Sequence, residues 1–590
     1  MMEFIWVAPM ARCWILLMYS RYRCCVARRV PCSGKILPVE RWFLPPTGRL
    51  MSSKGRWKPG SVTMAGWMNF GQNLKVNAKK FPDKVAFKDD HRRFTYPETN
   101  RRVNKLCYSL MSLGLDRGDK VAVLLENSIE ICEVFLAAAK TGLVIVPINF
   151  RLTSTDVEYI VNNSDAKALV VHDQFTGTVD PIRASLKNIP AKNYLVVGSH
   201  KDGYREYEEF ISKATDQEPD TAVKPADTWI LIYTSGTTGK PKGVVRSHES
   251  HIAFYLINAV DFGFNEHDNC LNVMPLCHIN STFFTFMFTY IGASVYIHPA
   301  LSFKPEEILE IVEREKITFI SLIPTHYNLI LSASAADRKR DVGSIRKLLC
   351  SSAPVRKSMK LAIMDFFPGV ELYEAYGSTE AGIVTILKPE YQMSKLGSIG
   401  FETLGTDFVK ILDEDGAEVD GGDVGELYSR GPMLFDAYYK LPDKTEASFR
   451  GEWFSAGDLA RRDADGFFEI VDRKDNMIIT GGEHVYPSEV EEVVGGHECV
   501  FDCACISLPD EKWGEKVVAV VIPRPGVAED EIDDQTIKDC CRDKLAGYKR
   551  PKEVIFIKDD EMPRTPTGKI LHRKLREKFA DTVENRDEEK

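Results

Sequence analysis

The sequence predicts an α/β protein with a large N-terminal domain of mainly parallel sheets covered by helices. From about residue 68 to residue 400, short apolar runs alternate with helical stretches, which is typical of parallel sheets with helix cover. A change of pattern near residue 402 adds a β subdomain. A second break near residue 471 adds a small α+β C-terminal domain.

The length also requires several domains, because 590 residues are too many for one compact core. We predict a basic extension over 1–63, a large domain over 64–472, a small domain over 476–580 and a charged tail over 581–590.

The apolar runs of the large domain predict its strands and helices. DKVAVLLEN (119–127) is typical of a buried strand, and SIEICEVFLAAAKTG (128–142) of a helix closed by glycine. Further strands are predicted at 143–149, 166–171, 193–198, 229–233 and 317–323.

The remaining elements follow from turn signals and charge. The stretch 409–431 reads as strand, turn, strand, with Asp-Gly and Gly-Gly turns. Beyond it we predict a helix at 487–496, strands at 498–507 and 515–523, and a charged helix near 529–546.

The N-terminal extension differs from the rest of the chain. Its first sixty residues hold eleven Lys or Arg against two acids, and its apolar run at 4–18 is shorter than the about 20 residues of a membrane span. Three interpretations compete: a cleaved signal or transit segment, a membrane-surface anchor, or translation that begins at Met51, Met64 or Met68. We favour the last, because folded-domain patterning begins near Met68.

The composition of the chain limits which binding partners and which cellular compartment we predict. The net charge of −9 argues against a nucleic-acid partner. The fourteen cysteines are scattered without zinc-site spacing, which favours reduced thiols and a cytoplasmic location. No uninterrupted transmembrane run follows residue 60, and the oligomeric state stays open between monomer and homodimer.

The stretch YTSGTTGKPKG (233–243) directly follows the apolar run WILI. Glycines let backbone amides approach phosphate oxygens, hydroxyls add donors and lysines add charge, so a phosphate-binding loop between a strand and a helix is predicted. The P-loop of nucleotide hydrolases is disfavoured, because Pro241 stands where that motif needs Ser or Thr.

This stretch resembles the phosphate-binding motif of the adenylate-forming superfamily, which includes AMP-dependent acyl-CoA synthetases, luciferases and peptide-synthetase adenylation domains. The resemblance covers about residues 68–578. It implies that the nucleotide contacts seven loop residues: Thr234, Ser235, Gly236, Thr237, Thr238, Gly239 and Lys240.

YEAYGSTEAG (373–382) resembles the family's Y-G-x-T-E segment. The resemblance places Tyr376 and Gly377 at the nucleotide, Thr379 at the α-phosphate and Glu380 on Mg²⁺, with Thr234 as the hydroxyl on the metal side. The chemistry fits, because a carboxylate can attack a triphosphate only if the phosphate charge is neutralised, and a hard cation held by oxygens neutralises it.

WFSAGDLA (453–460) resembles the family's W-x-x-T-G-D element, with Ala456 where the family usually has Thr. The resemblance implies that Asp458 accepts hydrogen bonds from the ribose hydroxyls and that Arg473 also reaches the ribose. No role follows for position 456.

The small domain carries three further expectations, all from the resemblance. Asp475 stands at the family's hinge position, and Gly481 and Gly482 suit the pantetheine arm of CoA, although a plain turn is the alternative for this pair. PRTPTGK (563–569) resembles the terminal motif, so Lys569 is expected to be the catalytic lysine.

The acyl pocket is the weakest part of the resemblance. Ser351 and Ser352 in CSSAPV replace the family's usual glycines, and His278 in MPLCHIN is either a gate residue or a packed core histidine. The segment 277–292 has no acid to pair an amine and is rich in phenylalanine. We therefore expect an apolar fatty, alicyclic or aromatic acid.

The predicted activity is an ATP-dependent, AMP-forming carboxylate–CoA ligase that uses ATP, Mg²⁺ and CoA. CoA is preferred as acceptor because 510–523 and 545–554 resemble free-standing CoA ligases. The alternatives are a carrier-protein or luciferase-like acceptor, or a non-catalytic nucleotide-binding relative.

Overall fold

The computed structural model describes most of the chain after residue 68. The described residues are 49–51, 57–59, 69–234, 240–299, 301–334, 336–351, 355, 357–419, 422–510, 512–527, 532–542, 544–564 and 570–587. The chain divides into two compact units, Met1–Thr63 and Met64–Lys590. In the first unit, β1 (Arg49–Met51) pairs antiparallel with β2 (Trp57–Pro59).

The second unit contains the other strands and all helices of the described residues. The strands up to residue 402 are β3 (Val85–Lys88), β4 (Arg93–Thr95), β5 (Lys120–Leu124), β6 (Val144–Pro147), β7 (Ala166–His172), β8 (Tyr194–Val197), β9 (Arg205–Glu206), β10 (Thr228–Thr234), β11 (Lys242–Ser247), β12 (Asn269–Asn272), β13 (Ser294–Ile297), β14 (Phe319–Leu322), β15 (Lys347–Ser351), β16 (Glu371–Ser378), β17 (Gly382–Leu387) and β18 (Phe401–Glu402). The later strands are β19 (Lys410–Leu412), β20 (Gly425–Ser429), β21 (Ala437–Tyr438), β22 (Phe449–Arg450), β23 (Trp453–Arg462), β24 (Phe468–Arg473), β25 (Ile478–Thr480), β26 (Glu483–Val485), β27 (Val500–Asp510), β28 (Gly514–Pro523) and β29 (Glu553–Phe556).

The α-helices surround and connect these strands. They are α1 (Phe70–Lys80), α2 (Tyr96–Ser112), α3 (Ile129–Thr141), α4 (Ser154–Asn163), α5 (Thr176–Val179), α6 (Tyr207–Ser212), α7 (His248–Asp261), α8 (Ile279–Ile291), α9 (Pro305–Glu315), α10 (Pro324–Leu331), α11 (Lys357–Phe366), α12 (Pro442–Ala447), α13 (Pro487–Gly495), α14 (Asp534–Cys540) and α15 (His572–Asp587). No helix within the described residues is both long and apolar enough to cross a lipid bilayer.

Two large sheets confirm the predicted α/β class. The first has eight strands in the order β21-β11-β10-β6-β5-β7-β8-β9, and its run from β10 to β9 is parallel. The second has nine strands in the order β18-β17-β16-β15-β14-β12-β13-β3-β4, parallel from β16 to β3. In parallel sheets ligands bind beyond the carboxyl ends of the strands. The loop after β10 and the turn after β16 each follow such an end.

The later strands form two smaller sheets. One contains β19, β20, β22, β23 and β24, all antiparallel, as predicted for a β subdomain. The other contains β25 to β29 and packs with α13 and α15 to make the small α+β portion.

Local signals in the sequence account for the helix ends. Ser128 begins α3, where its side chain accepts a hydrogen bond from the Ile131 backbone, and Gly142 ends it in the left-handed region at φ 75°. The Thr95 and Glu98 side chains form a reciprocal capping box at the start of α2.

Two sequence predictions differ from the structure. The stretch after the glycine-rich loop is strand β11, which pairs antiparallel with β10, and not a helix; the β-branched pair Val244 and Val245 lies in this strand. The helix predicted near 529–546 is helical only over Asp534–Cys540 within the described residues, because the Asp533 capping box begins it late and its last backbone bonds close at Cys541.

A buried aromatic cluster sits behind β10, where Trp229 packs against rings from several helices. The ring of His248, at the start of α7, stacks on Trp229 at 5.6 Å between centroids. His248 is fully buried, and neither of its ring nitrogens has a partner among the described residues. Burial therefore lowers the pKa of His248 to about 4, so the ring is neutral at physiological pH.

We expect this histidine to make the fold sensitive to acid. Below its unfolded pKa of about 6.5 the unfolded chain binds the extra proton, so the free energy of unfolding falls between about pH 6.5 and pH 4, by up to about 1.4 kcal/mol per pH unit. His248→Phe should reduce this slope in urea denaturation followed by fluorescence. The exposed His484→Gln is the control and should keep the wild-type slope; an unchanged slope in His248→Phe would contradict the assignment.

Candidate active site

The turn between β16 and β17 carries Thr379 and Glu380. The Ser378 side chain accepts a hydrogen bond from the Ala381 backbone at 3.0 Å, which closes the turn. The two strands approach so closely that a Cβ added to Gly377 would lie 2.0 Å from the carbonyl oxygen of Gly382. Glycine at position 377 is therefore required by the close approach of the strands.

The buried side chain of Arg246, on β11, also holds this turn through hydrogen bonds. Its guanidinium donates to the carbonyl oxygens of Thr379 at 2.7 Å, Glu380 at 3.2 Å and Met433 at 2.6 Å. Burial lowers the pKa of Arg246 to about 10, so the group keeps its charge at neutral pH. The turn is consequently anchored through its main chain as well as through its strands.

The Glu380 carboxylate is buried, at 7% exposure. Its Oε1 accepts a hydrogen bond from the Tyr438 hydroxyl at 2.8 Å and lies 3.3 Å from Lys242 Nζ. Lys242 also donates to the Tyr438 hydroxyl at 2.8 Å. A buried carboxylate requires this kind of paired and hydrogen-bonded environment.

Thr234 ends β10 directly across from Lys242, its partner in the β10–β11 hairpin. The Thr234 hydroxyl oxygen is buried and has no hydrogen-bond partner among the described residues. Lys240 is exposed, with Nζ 5.5 Å from the centre of the Tyr159 ring. The other predicted loop residues lie outside the described residues: Ser235, Gly236, Thr237, Thr238 and Gly239.

Asp458 lies at the meeting point of two sheets. Its Oδ2 accepts a hydrogen bond from the Tyr376 hydroxyl at 2.6 Å, and its Oδ1 lies 2.6 Å from Nε of Arg473, which stands opposite it on β24. Burial is the main cause that raises the pKa of the Tyr376 phenol, and the nearby Asp458 carboxylate raises this pKa further. The phenol therefore keeps its proton and donates it in the hydrogen bond. Of the two residues predicted for the ribose, Asp458 thus contacts the Tyr376 segment directly and Arg473 is connected to it through Asp458.

The predicted hinge residue, Asp475, lies in a short 3₁₀ turn after β24. Its carbonyl oxygen accepts a hydrogen bond from Arg576 of α15 at 3.2 Å. Three residues earlier, the Asp472 carboxylate accepts from the Ser488 backbone in the first turn of α13 at 2.9 Å. These two bonds connect the two sides of the predicted hinge.

Gly481 and Gly482 form the tight turn between β25 and β26. Both are exposed and both have positive φ, 60° and 85°, as a two-residue hairpin turn requires. Trp513 packs against this turn: a Cβ on Gly481 would lie 2.7 Å from its ring. The turn geometry explains the glycines, and their contact with CoA stays a prediction.

Lys569 and Ser352 lie outside the described residues, so their roles also stay predictions.

The predicted acyl-pocket residues His278 and Ser351 lie at the carboxyl ends of the second sheet. Nε2 of His278 is buried without a partner among the described residues, and burial lowers the pKa of this ring to about 4. Asn280 donates to the Ser351 hydroxyl at 2.8 Å and accepts from the Ser321 hydroxyl at 3.0 Å. Ser351 stands opposite Ala375, so these polar groups lie next to the Tyr376 segment.

The aromatic residues of α8 are part of the protein core. Four of them are buried and pack against rings of neighbouring elements: Phe283, Phe284, Phe286 and Phe288. The Phe254 and Phe283 rings lie 3.8 Å apart. Helix α8 therefore forms an apolar wall of packed aromatic side chains.

Sequence reasoning missed the residues that support the site. The loop motif contains Lys242 but predicts no role for it, and no motif indicates Arg246, Tyr438 or Asn280. A charged residue in an apolar strand, such as Arg246 between Val245 and Ser247, was the available signal.

Two family models match this chain. The AMP-binding enzyme model matches residues 74–439, and the AMP-binding enzyme C-terminal domain model matches residues 489–569. The chain belongs to the AMP-binding enzyme family. The first match contains the loop after β10 and the Thr379–Glu380 turn, and the second ends at Lys569.

Members of the family with named activities resemble the chain over almost their full length. A feruloyl-CoA synthase of Amycolatopsis sp. is 34% identical over 85% of this chain and 97% of the relative. A long-chain-fatty-acid–CoA ligase of Mycobacterium tuberculosis is 33% identical over 87% of this chain and 99% of the relative. The structure of an O-succinylbenzoate coenzyme A synthetase from Bacillus subtilis, in complex with ATP and magnesium ion, superposes with a TM-score of 0.75 at 26% identity, over 86% of this chain and 99% of that chain.

The oxygen atoms at the site suit a hard divalent cation. The Thr234 hydroxyl, which has no partner among the described residues, and the buried Glu380 carboxylate come from adjoining elements, because Lys242 contacts Glu380 and is the strand partner of Thr234. Within the described residues, no group of three or more His, Cys, Asp and Glu side chains forms a metal site. A cation held by one carboxylate and one hydroxyl would complete its shell with phosphate and water oxygens, as Mg²⁺ does.

The close approach at Gly377 gives a direct test of the turn. Gly377→Ala should displace Thr379 and Glu380 and weaken nucleotide binding by about tenfold, since overpacking costs about 1–3 kcal/mol. Calorimetric titration with AMP and ATP measures this effect. Gly177→Ala is the matched control, because a Cβ there meets nothing within 4 Å; equal affinities in the two variants would contradict the assignment.

Proposed function

We infer that this protein is an AMP-forming carboxylate–CoA ligase, an acid–thiol ligase that uses ATP and CoA as substrates. One observation carries this inference: a continuous series of contacts links the predicted phosphate, metal and ribose segments. Lys242 joins the β10–β11 hairpin to Glu380. Tyr376, four residues before Glu380, hydrogen-bonds Asp458, which in turn pairs with Arg473. One nucleotide can therefore meet all three segments.

The first half-reaction is attack of the acid's carboxylate on the α-phosphorus of ATP, which forms acyl-AMP and expels pyrophosphate. In our proposal Asp458 and Arg473 orient the ribose, the residues after β10 bind the phosphates, and Thr379 contacts the α-phosphate. Thr234 and Glu380 would hold Mg²⁺, which neutralises phosphate charge when bound. Precise placement of the reactants removes much of the entropic barrier to this step.

The second half-reaction transfers the acyl group. The CoA thiol attacks the carbonyl carbon of acyl-AMP, a thioester bond forms, and AMP leaves with the electron pair of the broken acyl–phosphate bond. We propose that Lys569 acts in the first step, and that the small domain over 476–580 then turns on the large domain over 64–472 about Asp475. The turn with Gly481 and Gly482 would afterwards face the pantetheine arm.

We propose an apolar acid, fatty, alicyclic or aromatic. The buried aromatic wall of α8 supports this, since it offers no carboxylate to pair an amine. The three relatives reported above act on acids that differ widely in size. We further propose a cytoplasmic enzyme, supported by the free thiols of Cys107, Cys132, Cys270, Cys277 and Cys350. A homodimer is the oligomer to test for.

A pyrophosphate-release screen tests the activity and the acid together. Short, medium, long, cyclic and aromatic acids are each supplied with ATP, magnesium and CoA, and we expect release with at least one apolar class and formation of its CoA thioester. Omission of CoA should leave a single turnover of acyl-AMP. Nucleotide binding without release for any acid would contradict a ligase, and release without thioester would indicate another acceptor.

Lys569→Ala separates the two half-reactions. We expect acyl-AMP formation to fall by about 10²-fold or more, because a positioned cation at the developing charge is lost, while thioester formation from supplied acyl-AMP stays within about twofold of wild type. Rapid-quench assays of each half measure this. Lys574→Ala, an exposed lysine at the start of α15, is the control and should change neither; equal losses in both halves of Lys569→Ala would contradict the proposed role.

A further inference from the structure

Two side chains, Tyr438 and Lys242, meet at one oxygen of the Glu380 carboxylate. The Tyr438 hydroxyl donates to Oε1 at 2.8 Å, Lys242 Nζ lies 3.3 Å from the same atom, and Lys242 donates to the Tyr438 hydroxyl at 2.8 Å. Both contacts to the carboxylate are to Oε1. The second oxygen, Oε2, accepts no hydrogen bond from the described residues.

The Tyr438 ring is held in place by its packing. It is 4% exposed and packs with Phe435 at 4.8 Å between ring centroids. Strand β21 pairs with β11, where Tyr438 stands opposite Val244, and the Tyr438 backbone amide donates to Thr445 of α12 at 2.9 Å. The hydroxyl is thus held by a rigid ring on a paired strand.

The direction of the hydrogen bonds is set by charge. Lysine can only donate and an ionised carboxylate can only accept, so the hydroxyl between them accepts from Lys242 and donates to Glu380. The phenol therefore presents its proton to Oε1 in one orientation.

Lys242 alone would not supply this orientation. Its ammonium is a point charge on a flexible four-carbon chain, and its side chain is 19% exposed. A lysine attracts a carboxylate without selecting one rotation of it, whereas a hydroxyl on a fixed ring defines the position of the bonded oxygen.

We propose that Tyr438 is a positioning residue for metal binding: its hydroxyl fixes the rotation of the Glu380 carboxylate, so that Oε2 faces the space beside Thr234 where Mg²⁺ binds with ATP. This inference rests on the proposed function. Tyr438 acts through Glu380 and is not itself a ligand. Its loss should weaken the metal and leave the apo fold in place.

The test uses Tyr438→Phe in the full-length protein, with Mn²⁺ as the probe. Free Mn²⁺ is counted by electron paramagnetic resonance in the presence of ATP and without any acid, so no turnover occurs. We expect the Mn²⁺ dissociation constant to rise about tenfold, because a hydrogen bond to a charged group is lost. The magnesium concentration for half-maximal pyrophosphate release should rise by a similar factor, with the rate recovered at saturating magnesium.

The neighbouring Tyr439→Phe is the matched control. Its hydroxyl donates to Asp165 at 2.8 Å and has no contact with Glu380, so we expect wild-type Mn²⁺ affinity. Tyr438→Met is a second replacement that removes the same hydroxyl, and circular dichroism of the apo proteins verifies that each variant folds.

The outcomes are distinct. Wild-type Mn²⁺ affinity in either folded Tyr438 variant overturns the inference, and so does a rate loss that is equal at every magnesium concentration, which is the behaviour of a merely structural residue. If the wild-type protein itself does not bind Mn²⁺ with ATP, the proposed function fails and this inference fails with it.

Discussion

The constraint on which the site depends is the burial of one negative charge, the Glu380 carboxylate, beside the region assigned to a triphosphate. A buried carboxylate is stable only when it is paired and hydrogen-bonded. Here Lys242 and Tyr438 satisfy the side chain, and Arg246 holds the peptide that carries it. These three residues come from β11 and β21, so the hairpin after the phosphate loop also supports the metal-side acid.

These contacts join the two large sheets at the site. Strand β11 belongs to the eight-stranded sheet and the turn after β16 to the nine-stranded sheet, and Lys242 and Arg246 cross between them. The β subdomain joins the same place through Asp458 and Tyr376. A displacement of any one sheet would therefore change the segments predicted for the metal, the phosphates and the ribose together.

Much of the fold and of the site could be predicted from the sequence, because both leave local signals. The buried strands β5 to β8 are continuous apolar runs, and α3 carries its own Ser128 cap and Gly142 stop. The motif residues Thr379, Glu380, Asp458 and Arg473 were identified by resemblance. The sequence predicts a helix after the loop, whereas the structure has strand β11 there, because its residues pair with β10 and strand propensity depends on such partners.

The sequence by itself determined the α/β class, the order of the elements and the chemical types of the nucleotide-binding residues, because periodicity and short motifs are local properties of the chain. Only the tertiary structure decided which side chains support them. Lys242 and Tyr438 are separated by 196 residues, and Arg246 and Thr379 by 133. Contacts of that separation depend on how sheets pair and pack, and no local pattern records them.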